Sequence, residues 1–268
     1  MFRDRFAIGV IHLPPLPYTY TRETPIEKLI EYSVRDARIL EEAGFDGILI
    51  ENFGDKPYQK RVTDPLALTA MAIAIHETAK SVSIPVGVNL LRNSGLEAYS
   101  IAIATRARFI RINAYVETLL TDSGIIEPET NNLRAVKLNY PGIKIFADIL
   151  CKHGASLTYT NLLAIHGAEE ALKIIILDAV ERGGADYIVV TGGRTGEPPA
   201  LELLKRISEI SPTPIVIGSG TTPDNICKLI GYAHGVIVGS YIKIDGRAGN
   251  PVDIERAKRF IETLRSCR

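Results

Sequence analysis

Eight short runs of mainly β-branched and aliphatic residues alternate with longer segments of helical periodicity along the chain. Strands separated by helices pair in parallel through crossover connections. Most of the runs are apolar almost throughout, which is typical of strands that are covered on both faces. This alternation predicts an α/β protein with a parallel sheet. The predicted strands are residues 6–12, 45–51, 84–90, 109–113, 143–149, 187–191, 214–218 and 235–239.

The number of β/α units favours closure of the sheet into a barrel. The chain has 268 residues, and about 250 is typical of a (β/α)8 or TIM barrel. Residues 43–51, 184–191 and 232–239 share one design, in which a helix ends at a small residue, a polar residue turns the chain and a strand follows. We predict a single (β/α)8 barrel domain over residues 1–268. A doubly wound open sheet is the alternative, because it would not require an eighth strand.

The connections differ between the two ends of the predicted strands. Links from helix to strand are tight, whereas the links from strand to helix at residues 12–25, 52–64, 114–126 and 151–167 are long. Long loops after the strands mark the active face of such a barrel. Residues 121–127 form a lid candidate, in which Gly124 gives a flexible point and Ile125 and Ile126 would cover a ligand. A loop packed against its neighbour fits the same residues.

Composition limits the classes of partner. Lysine plus arginine and aspartate plus glutamate both number 31, so no basic field attracts nucleic acid. The apolar runs are far shorter than the roughly 20 residues of a membrane span, although contact at a membrane periphery stays open. Cys151, Cys227 and Cys267 show no metal or disulfide spacing. We therefore expect reduced thiols and a cytoplasmic protein without a signal peptide.

Glycine-rich turns follow the last three predicted strands. The turn Gly218-Ser-Gly-Thr-Thr222 precedes Pro223, which is expected to open a helix, and the segment 191–196 reads Thr-Gly-Gly-Arg-Thr-Gly. Bare backbone N–H groups at a helix start bind anions, and TIM barrels bind phosphate after strands seven and eight. The alternative is that the glycines only permit tight turns. The predicted phosphate-binding residues are Gly192, Gly218, Ser219, Gly220, Gly239 and Ser240.

Polar side chains stand at the ends of the other predicted strands. Glu51 and Asp148 are the candidates for general acid and base, or for ligands of a divalent cation such as magnesium, although we assign no metal site and no certain cofactor. Arg111 would supply a fixed positive charge, Lys152 a Schiff base or acid/base amine, and His12 a proton shuttle. The predicted substrate-binding residues are Asn52, Asn89, Arg92, Asn113, Asp122, His153 and Thr191.

A structural alternative exists for these groups. A buried charge without a partner is strongly unfavourable, so some of them must neutralise one another. Glu51 and Asp148 could pair with the neighbouring cations as a purely structural network. For His12, the alternative is a histidine held against the following proline run by one backbone hydrogen bond.

The combination of these motifs resembles the BtpA family, named for a cyanobacterial factor needed for photosystem I accumulation. The resemblance covers nearly the whole chain, and its motifs are residues 9–17, 51–55, 87–93, 109–113, 121–127, 147–148, 152–153, 191–192, 218–220 and 238–239. It implies a barrel similar to the ribulose-phosphate-binding barrels, which bind phosphorylated small molecules. Ser94 stands where the family pattern has an acidic residue, which weakens an acid/base role for that loop. Cys151 replaces an aliphatic residue, which changes packing.

We therefore predict an enzyme that acts on a phosphorylated small metabolite, a sugar or nucleoside phosphate, by acid/base chemistry. A lyase, an isomerase and a glycosidic-bond hydrolase all fit, and a homo-oligomer is expected. The resemblance implies a different alternative, a non-catalytic biogenesis or assembly factor of the kind for which the family is named.

Overall fold

A computed structural model describes residues 1–17, 24–193 and 197–267. Its strands are β1 Phe6–His12, β2 Gly47–Glu51, β3 Val86–Asn89, β4 Phe109–Ile112, β5 Leu119–Thr121, β6 Gly124–Ile126, β7 Lys144–Ile149, β8 Ala155–Ser156, β9 Tyr187–Val190, β10 Ile215–Ile217 and β11 Gly235–Val238. Its helices are α1 Ile26–Glu42, α2 Pro65–Ser81, α3 Gly95–Thr105, α4 Thr130–Asn139, α5 Leu157–His166, α6 Ala168–Leu177, α7 Leu201–Ile210, α8 Ile226–Leu229 and α9 Ile254–Ser266.

Eight of the strands close into a parallel barrel in the order β1, β11, β10, β9, β7, β4, β3, β2. Closure is made by β1, which pairs in parallel with both β2 and β11. The predicted (β/α)8 barrel is therefore confirmed, and the open doubly wound sheet is excluded because that fold leaves two strands unpaired on one side.

The barrel interior is filled by large side chains that alternate along the strands with those facing the helices. At the amino-terminal end, Phe2 stacks on Phe6 with ring centroids 4.6 Å apart and meets Phe109, Phe146 and Tyr187 edge-on. Phe6, Phe109 and Tyr187 are the first residues of β1, β4 and β9. Together the five rings form an aromatic floor across that end of the barrel.

The helices pack their apolar sides against the outer face of the barrel, where most of the buried core lies. Side-chain caps set the start of three of them: Asp64 accepts from the N–H groups of α2, Ser156 from α5 and Asp253 from α9. Such caps satisfy backbone donors that have no partner within the helix. The helices cover the outer face of the barrel, and the carboxyl ends of the strands are left to form a site.

Parallel register aligns the polar residues at the strand ends. His12 on β1 lies opposite Glu51 on β2, and Glu51 lies opposite Asn89 on β3. The next strands bring Arg111 and Asp148 to the same end, because β4 pairs with β7. The chemistry-bearing residues predicted from the sequence therefore share one end of the barrel.

Two of the predicted long loops contain secondary structure. Residues 114–126 include the hairpin of β5 and β6, and residues 151–167 include β8, which pairs with β5, and α5. The strands are only two or three residues long, too short for an alternating pattern. Helix α5 has no buried residue and no amphipathic stripe, so its sequence lacked the signal that marks a packed helix.

The expectation of three reduced thiols is wrong for two of them. Cys227 of α8 and Cys267 after α9 form a disulfide across 40 residues of sequence, while Cys151 is a buried free thiol. The bond depends on α9 returning to the neighbourhood of α8 at the end of the barrel. Cysteine spacing carries no information on such a contact.

Candidate functional site

A pocket of about 670 Å3, open to solvent, lies at the carboxyl ends of the barrel strands. Most of the predicted site residues line it, and Phe53 and Tyr58 were not predicted. The lining comprises Val10, His12, Glu51, Phe53, Tyr58, Asn89, Leu91, Arg92, Arg111, Asn113, Lys152, His153, Gly218, Ser219, Gly220, Gly239, Ser240 and Ala248.

Glu51 is the carboxylate of this lining. Its side chain is 9% exposed, and Asn89 Nδ2 donates to its Oε2 at 3.1 Å. Burial raises the pKa of Glu51, while the charges of Arg111 and Lys152 oppose that rise. A carboxyl group whose pKa is raised toward neutrality is suited to proton transfer.

Replacement of Glu51 by glutamine is expected to stabilise the ligand-free protein at pH 8 relative to wild type, and to do so much less at pH 4. Because burial raises the pKa of Glu51 in the folded state, its favourable contribution is complete below the pKa of the unfolded chain. That contribution is lost as pH rises through the folded-state pKa. Thermal unfolding at both pH values measures the effect. Glu202→Gln on the exposed face of α7 is the control, and equal shifts at both pH values would contradict the prediction.

Asp148 forms a buried ion pair with Arg111. Arg111 Nε and Nη2 donate to its two carboxylate oxygens at 2.8 and 2.9 Å, and Asn113 Nδ2 donates to Oδ2 at 2.9 Å. Asp148 has no exposed surface and does not line the pocket. This arrangement favours the structural alternative for Asp148, which holds Arg111 and Asn113 against the pocket. Asn113 Oδ1 is buried without a hydrogen-bond partner in the described part of the chain.

His12 is fixed as a neutral hydrogen-bond donor. Its Nδ1 accepts the Gly249 N–H at 3.1 Å, and its ring lies 4.3 Å from that of Phe53. Burial lowers the pKa of His12 well below its usual value, and the charge of Lys243 adds to that effect. A neutral imidazole that accepts at Nδ1 carries its proton on Nε2. His12 thus makes one backbone hydrogen bond, as its structural alternative requires, but the bond comes from Gly249 and the ring lies beside Phe53. It also lines the pocket, where Nε2–H can donate to a ligand oxygen.

Lys152 adds a positive charge to the lining, and His153 lies beside it in sequence. Among the residues that the structure describes, the Lys152 ammonium has no hydrogen bond or salt bridge. Burial and then the charge of Arg111 lower the pKa of Lys152. Burial lowers the pKa of His153 to about 4, helped by the charges of Lys152 and Arg92. His153 is therefore neutral at physiological pH.

Other predicted residues lie outside the pocket lining. Asn52 is buried and bonds to Asp55 and to the backbone of Leu91, so it fixes the loop after β3. Thr191 Oγ1 accepts the Lys152 N–H at 3.2 Å, which positions Lys152. Asp122 stands on the hairpin and pairs with Arg92.

The hairpin of β5 and β6 is packed on one face. Ile126 is buried with Leu119 and Cys151, whereas Ile125 is 51% exposed. The Ser123 hydroxyl donates to the Tyr58 carbonyl at 2.8 Å. The structure therefore supports the packed-loop alternative for Ile126, and Ile125 faces solvent.

A second cavity of about 590 Å3, also open to solvent, adjoins the first at the predicted phosphate loops. The two cavities share Gly220, Gly239 and Ser240. The N–H groups of Ser219, Gly220 and Thr221 have no acceptor among the described residues. Thr221 Oγ1 is buried and also has no hydrogen-bond partner among the described residues.

Arg256 brings a cation to this second cavity. Its Nε donates to the Tyr241 carbonyl at 2.6 Å and its guanidinium lies 4.6 Å from the Tyr241 ring centroid. Neither Thr221 nor Arg256 was predicted. Thr221 could have been found from its place in the glycine-rich turn, whereas Arg256 lies in α9 and carries no local motif.

Two predicted phosphate glycines have a packing role. A Cβ atom at Gly192 or at Gly220 would collide with the backbone of Glu197, and Gly220 also has a φ of +75°. Gly192 lies outside both cavity linings. These observations agree with the tight-turn alternative for Gly192, while Gly220 serves both packing and the cavity. Residues 194–196 of the predicted motif lie outside the described residues.

The helix predicted after Pro223 is shorter than expected. Helix α8 begins only at Ile226 and has four residues, so it offers little macrodipole. The candidate donors to an anion are therefore the N–H groups of the turn, which have no acceptor among the described residues, and not a helix terminus. Within residues 1–17, 24–193 and 197–267, no three His, Cys, Asp or Glu side chains are grouped to hold a metal ion.

The fold and the site define a TIM barrel with a polar pocket at the carboxyl ends of its strands. The chain belongs to the BtpA family, whose model matches residues 3–266. It is 42% identical to an uncharacterised protein of Thermococcus kodakarensis over 100% of this chain and 98% of that protein. It is 37% identical to the photosystem I biogenesis protein BtpA of Synechocystis over 96% of this chain and 87% of that protein.

Solved structures of low sequence identity have the same fold. One is (S)-3-O-geranylgeranylglyceryl phosphate synthase of Thermoplasma acidophilum in complex with sn-glycerol-1-phosphate, with a TM-score of 0.60, 16% identity and coverage of 97% and 93% of the two chains. Another is N-(5'-phosphoribosyl)anthranilate isomerase of Pyrococcus furiosus, with a TM-score of 0.58, 14% identity and coverage of 97% and 98%. No helix in the described part of this chain is both long and apolar enough to cross a membrane.

Proposed function

We propose that this protein is an enzyme that acts on a phosphorylated small metabolite by acid/base chemistry. The observation that carries the proposal is the pair of adjoining cavities. One holds a buried carboxyl group with a raised pKa, Glu51, and the other adjoins the turn of Ser219, Gly220 and Thr221, whose N–H groups have no acceptor among the described residues. Proton transfer and anion binding thus meet in one continuous site.

In this proposal the phosphate lies where the two cavities join. The backbone N–H groups of Ser219, Gly220 and Thr221 donate to it, and the guanidinium of Arg256 supplies a compensating charge. The Gly239–Ser240 turn completes this end of the site. The fold supports the placement, since TIM barrels bind phosphate in the loops after strands seven and eight.

The reacting end of the metabolite would face Glu51. Glu51 moves a proton, and His12 Nε2–H with Arg111 and Lys152 stabilises negative charge that develops on a neighbouring oxygen. Hydrolysis of glycosidic bonds usually employs two carboxyl groups, and Glu51 is the one that lines the described pocket. The arrangement therefore favours isomerase or lyase chemistry over glycosidic hydrolysis.

Replacement of Thr221 by valine is expected to weaken binding of phosphorylated metabolites by about 5- to 10-fold, because the hydroxyl is lost as a hydrogen-bond partner of a charged group. The ligand-free variant should be as stable as wild type or more so, since Thr221 Oγ1 is buried and has no partner among the described residues. Thermal shifts with a panel of sugar and nucleoside phosphates, with and without magnesium, give the affinities. Loss of stability with unchanged affinity would contradict the prediction.

Two further variants sharpen this experiment. Thr69→Val removes a hydroxyl from the exposed surface of α2 and should leave binding unchanged. Arg256→Gln should weaken binding by about 10-fold or more. Failure of every phosphorylated compound to stabilise the folded wild-type protein would overturn the proposed function.

The alternative of a non-catalytic assembly factor has one observation in its favour. Helix α5 has no buried residue, and Leu163 and Ile165 on it are exposed. Exposed apolar surface of this kind is typical of sites for protein contacts. The homo-oligomer and the cytoplasmic location stay predictions.

A further inference from the structure

A second cationic region lies across the barrel from the phosphate loops. Arg92 follows β3, and β3 is four strands away from β10 in both directions around the closed barrel. Arg92 lines the pocket, so a ligand held at Ser219 and Gly220 would direct its other end toward this side chain.

Arg92 is held in place but incompletely paired. Its Nη2 donates to both oxygens of Asp122 at 2.8 and 3.0 Å, and its guanidinium lies 4.6 Å from the Tyr58 ring centroid. Arg92 Nε is buried and has no hydrogen-bond partner among the described residues. A buried donor without an acceptor is unfavourable, so an acceptor supplied by a ligand would be bound favourably.

The partner that Arg92 does have is easily exchanged. The Asp122 side chain is 65% exposed, against 11% for Arg92. Ion pairs with so exposed a member contribute little stability, because water solvates the charge nearly as well. A ligand anion inside the pocket can therefore compete with Asp122 for the guanidinium.

Lys152 adds positive charge between the two ends of the pocket, because it follows β7, which lies two strands from β10 and two strands from β3. Its ammonium is in the pocket lining and has no salt bridge in the described part of the chain, whereas the charge of Arg111 is balanced by Asp148. Glu51 is the acidic residue of the lining, and His153 beside Lys152 is neutral. With the charge of Arg111 balanced, the lining keeps two cations, Arg92 and Lys152, against one acidic residue, Glu51.

We propose that the ligand of this pocket carries a second anionic group, a carboxylate or a second phosphate, which binds Arg92 across the barrel from the phosphate loops, with the charge of Lys152 beside the path between the two ends. This inference rests on the proposed function and specifies its substrate class. The substrate is a small metabolite with anionic groups at both ends, and the carbon atoms between them lie beside Glu51 and His12.

The test compares three six-carbon probes that differ in their second end. Fructose 6-phosphate has one anionic group, fructose 1,6-bisphosphate has two phosphates and 6-phosphogluconate has a phosphate and a carboxylate. Titration calorimetry with wild type should show binding of at least one two-anion probe about tenfold or more tighter than fructose 6-phosphate. The tighter of those two identifies the second group as phosphate or carboxylate.

Variants test whether the tighter binding of the two-anion probes depends on Arg92 and Lys152. Arg92→Gln should abolish the tenfold preference and leave the affinity for fructose 6-phosphate within about twofold of wild type, because no charged hydrogen bond to that probe is lost. Lys152→Gln should reduce the preference in part, which keeps the test decisive if Arg92→Gln folds poorly. Asp122→Asn should strengthen binding of the two-anion probes by removing a competitor. Arg206→Gln on α7, whose side chain is 56% exposed, is the matched control.

The outcomes separate the two proposals. If fructose 6-phosphate binds and neither two-anion probe binds more tightly, the second anionic site is overturned and the proposed function stands. If Arg92→Gln weakens all three probes equally, Arg92 has only a structural role and the inference is again overturned. If none of the probes binds folded wild-type protein, both proposals are rejected.

Discussion

Replacement of Asp148 by asparagine is expected to lower the free energy of unfolding by about 3–5 kcal/mol, because it leaves Arg111 buried without a counter-ion. Asp148 is fully buried and accepts both guanidinium hydrogen bonds. A domain is typically stable by only about 5–15 kcal/mol, so the loss is a large fraction of the total. The midpoint of guanidinium denaturation at unchanged slope measures it.

Asp122→Asn provides the comparison, since it also removes an aspartate paired with an arginine. That pair is largely exposed on one side, and its loss should cost no more than about 1 kcal/mol. A double variant, Arg111→Met with Asp148→Leu, should recover much of the stability because no buried charge remains. A loss of unfolding free energy in Asp148→Asn that is no larger than the loss in Asp122→Asn would contradict the prediction.

Removal of the Cys227–Cys267 disulfide is the second large effect that we expect. A loop of 40 residues gives, by chain entropy, a stabilisation of about 4 kcal/mol at 25 °C. The loop contains β11, the Gly239–Ser240 turn and Arg256, so the bond also ties together one half of the phosphate cavity. Denaturation of wild type with and without dithiothreitol measures the contribution.

The double variant Cys227→Ser with Cys267→Ser is the control for this measurement. It should match reduced wild type in stability and should not respond to dithiothreitol. The buried thiol of Cys151 is kept in both proteins, so it cancels in the comparison. A wild-type midpoint that does not move on complete reduction would contradict the prediction.

The barrel could be predicted because its signal repeats along the chain. Each strand is an apolar run bounded by a turn residue, and each polar end is fixed by position. His12, Glu51 and Asn89 are the last residues of their strands and align by parallel register. Strand ends in a barrel meet at one rim, so residues distant in sequence could be assigned to one pocket.

The different roles of Glu51 and Asp148 could not be predicted in the same way. Glu51 and Asp148 stand at equivalent places in the sequence pattern, yet Glu51 lines the pocket and Asp148 is taken up by Arg111 and Asn113. That choice depends on which side chains meet across neighbouring strands. The positions of Arg256 and of the Cys227–Cys267 disulfide depend on where helix α9 packs. No local sequence pattern indicates that packing.

The aromatic floor around Phe2 has a consequence for product release in the proposed enzyme. Five rings close the amino-terminal end of the barrel, so in the described structure the mouth serves for both entry and exit. In the proposed enzyme, both fragments of a substrate that is split would leave through this mouth. The last fragment to leave would then act as a product inhibitor that competes with the next substrate molecule.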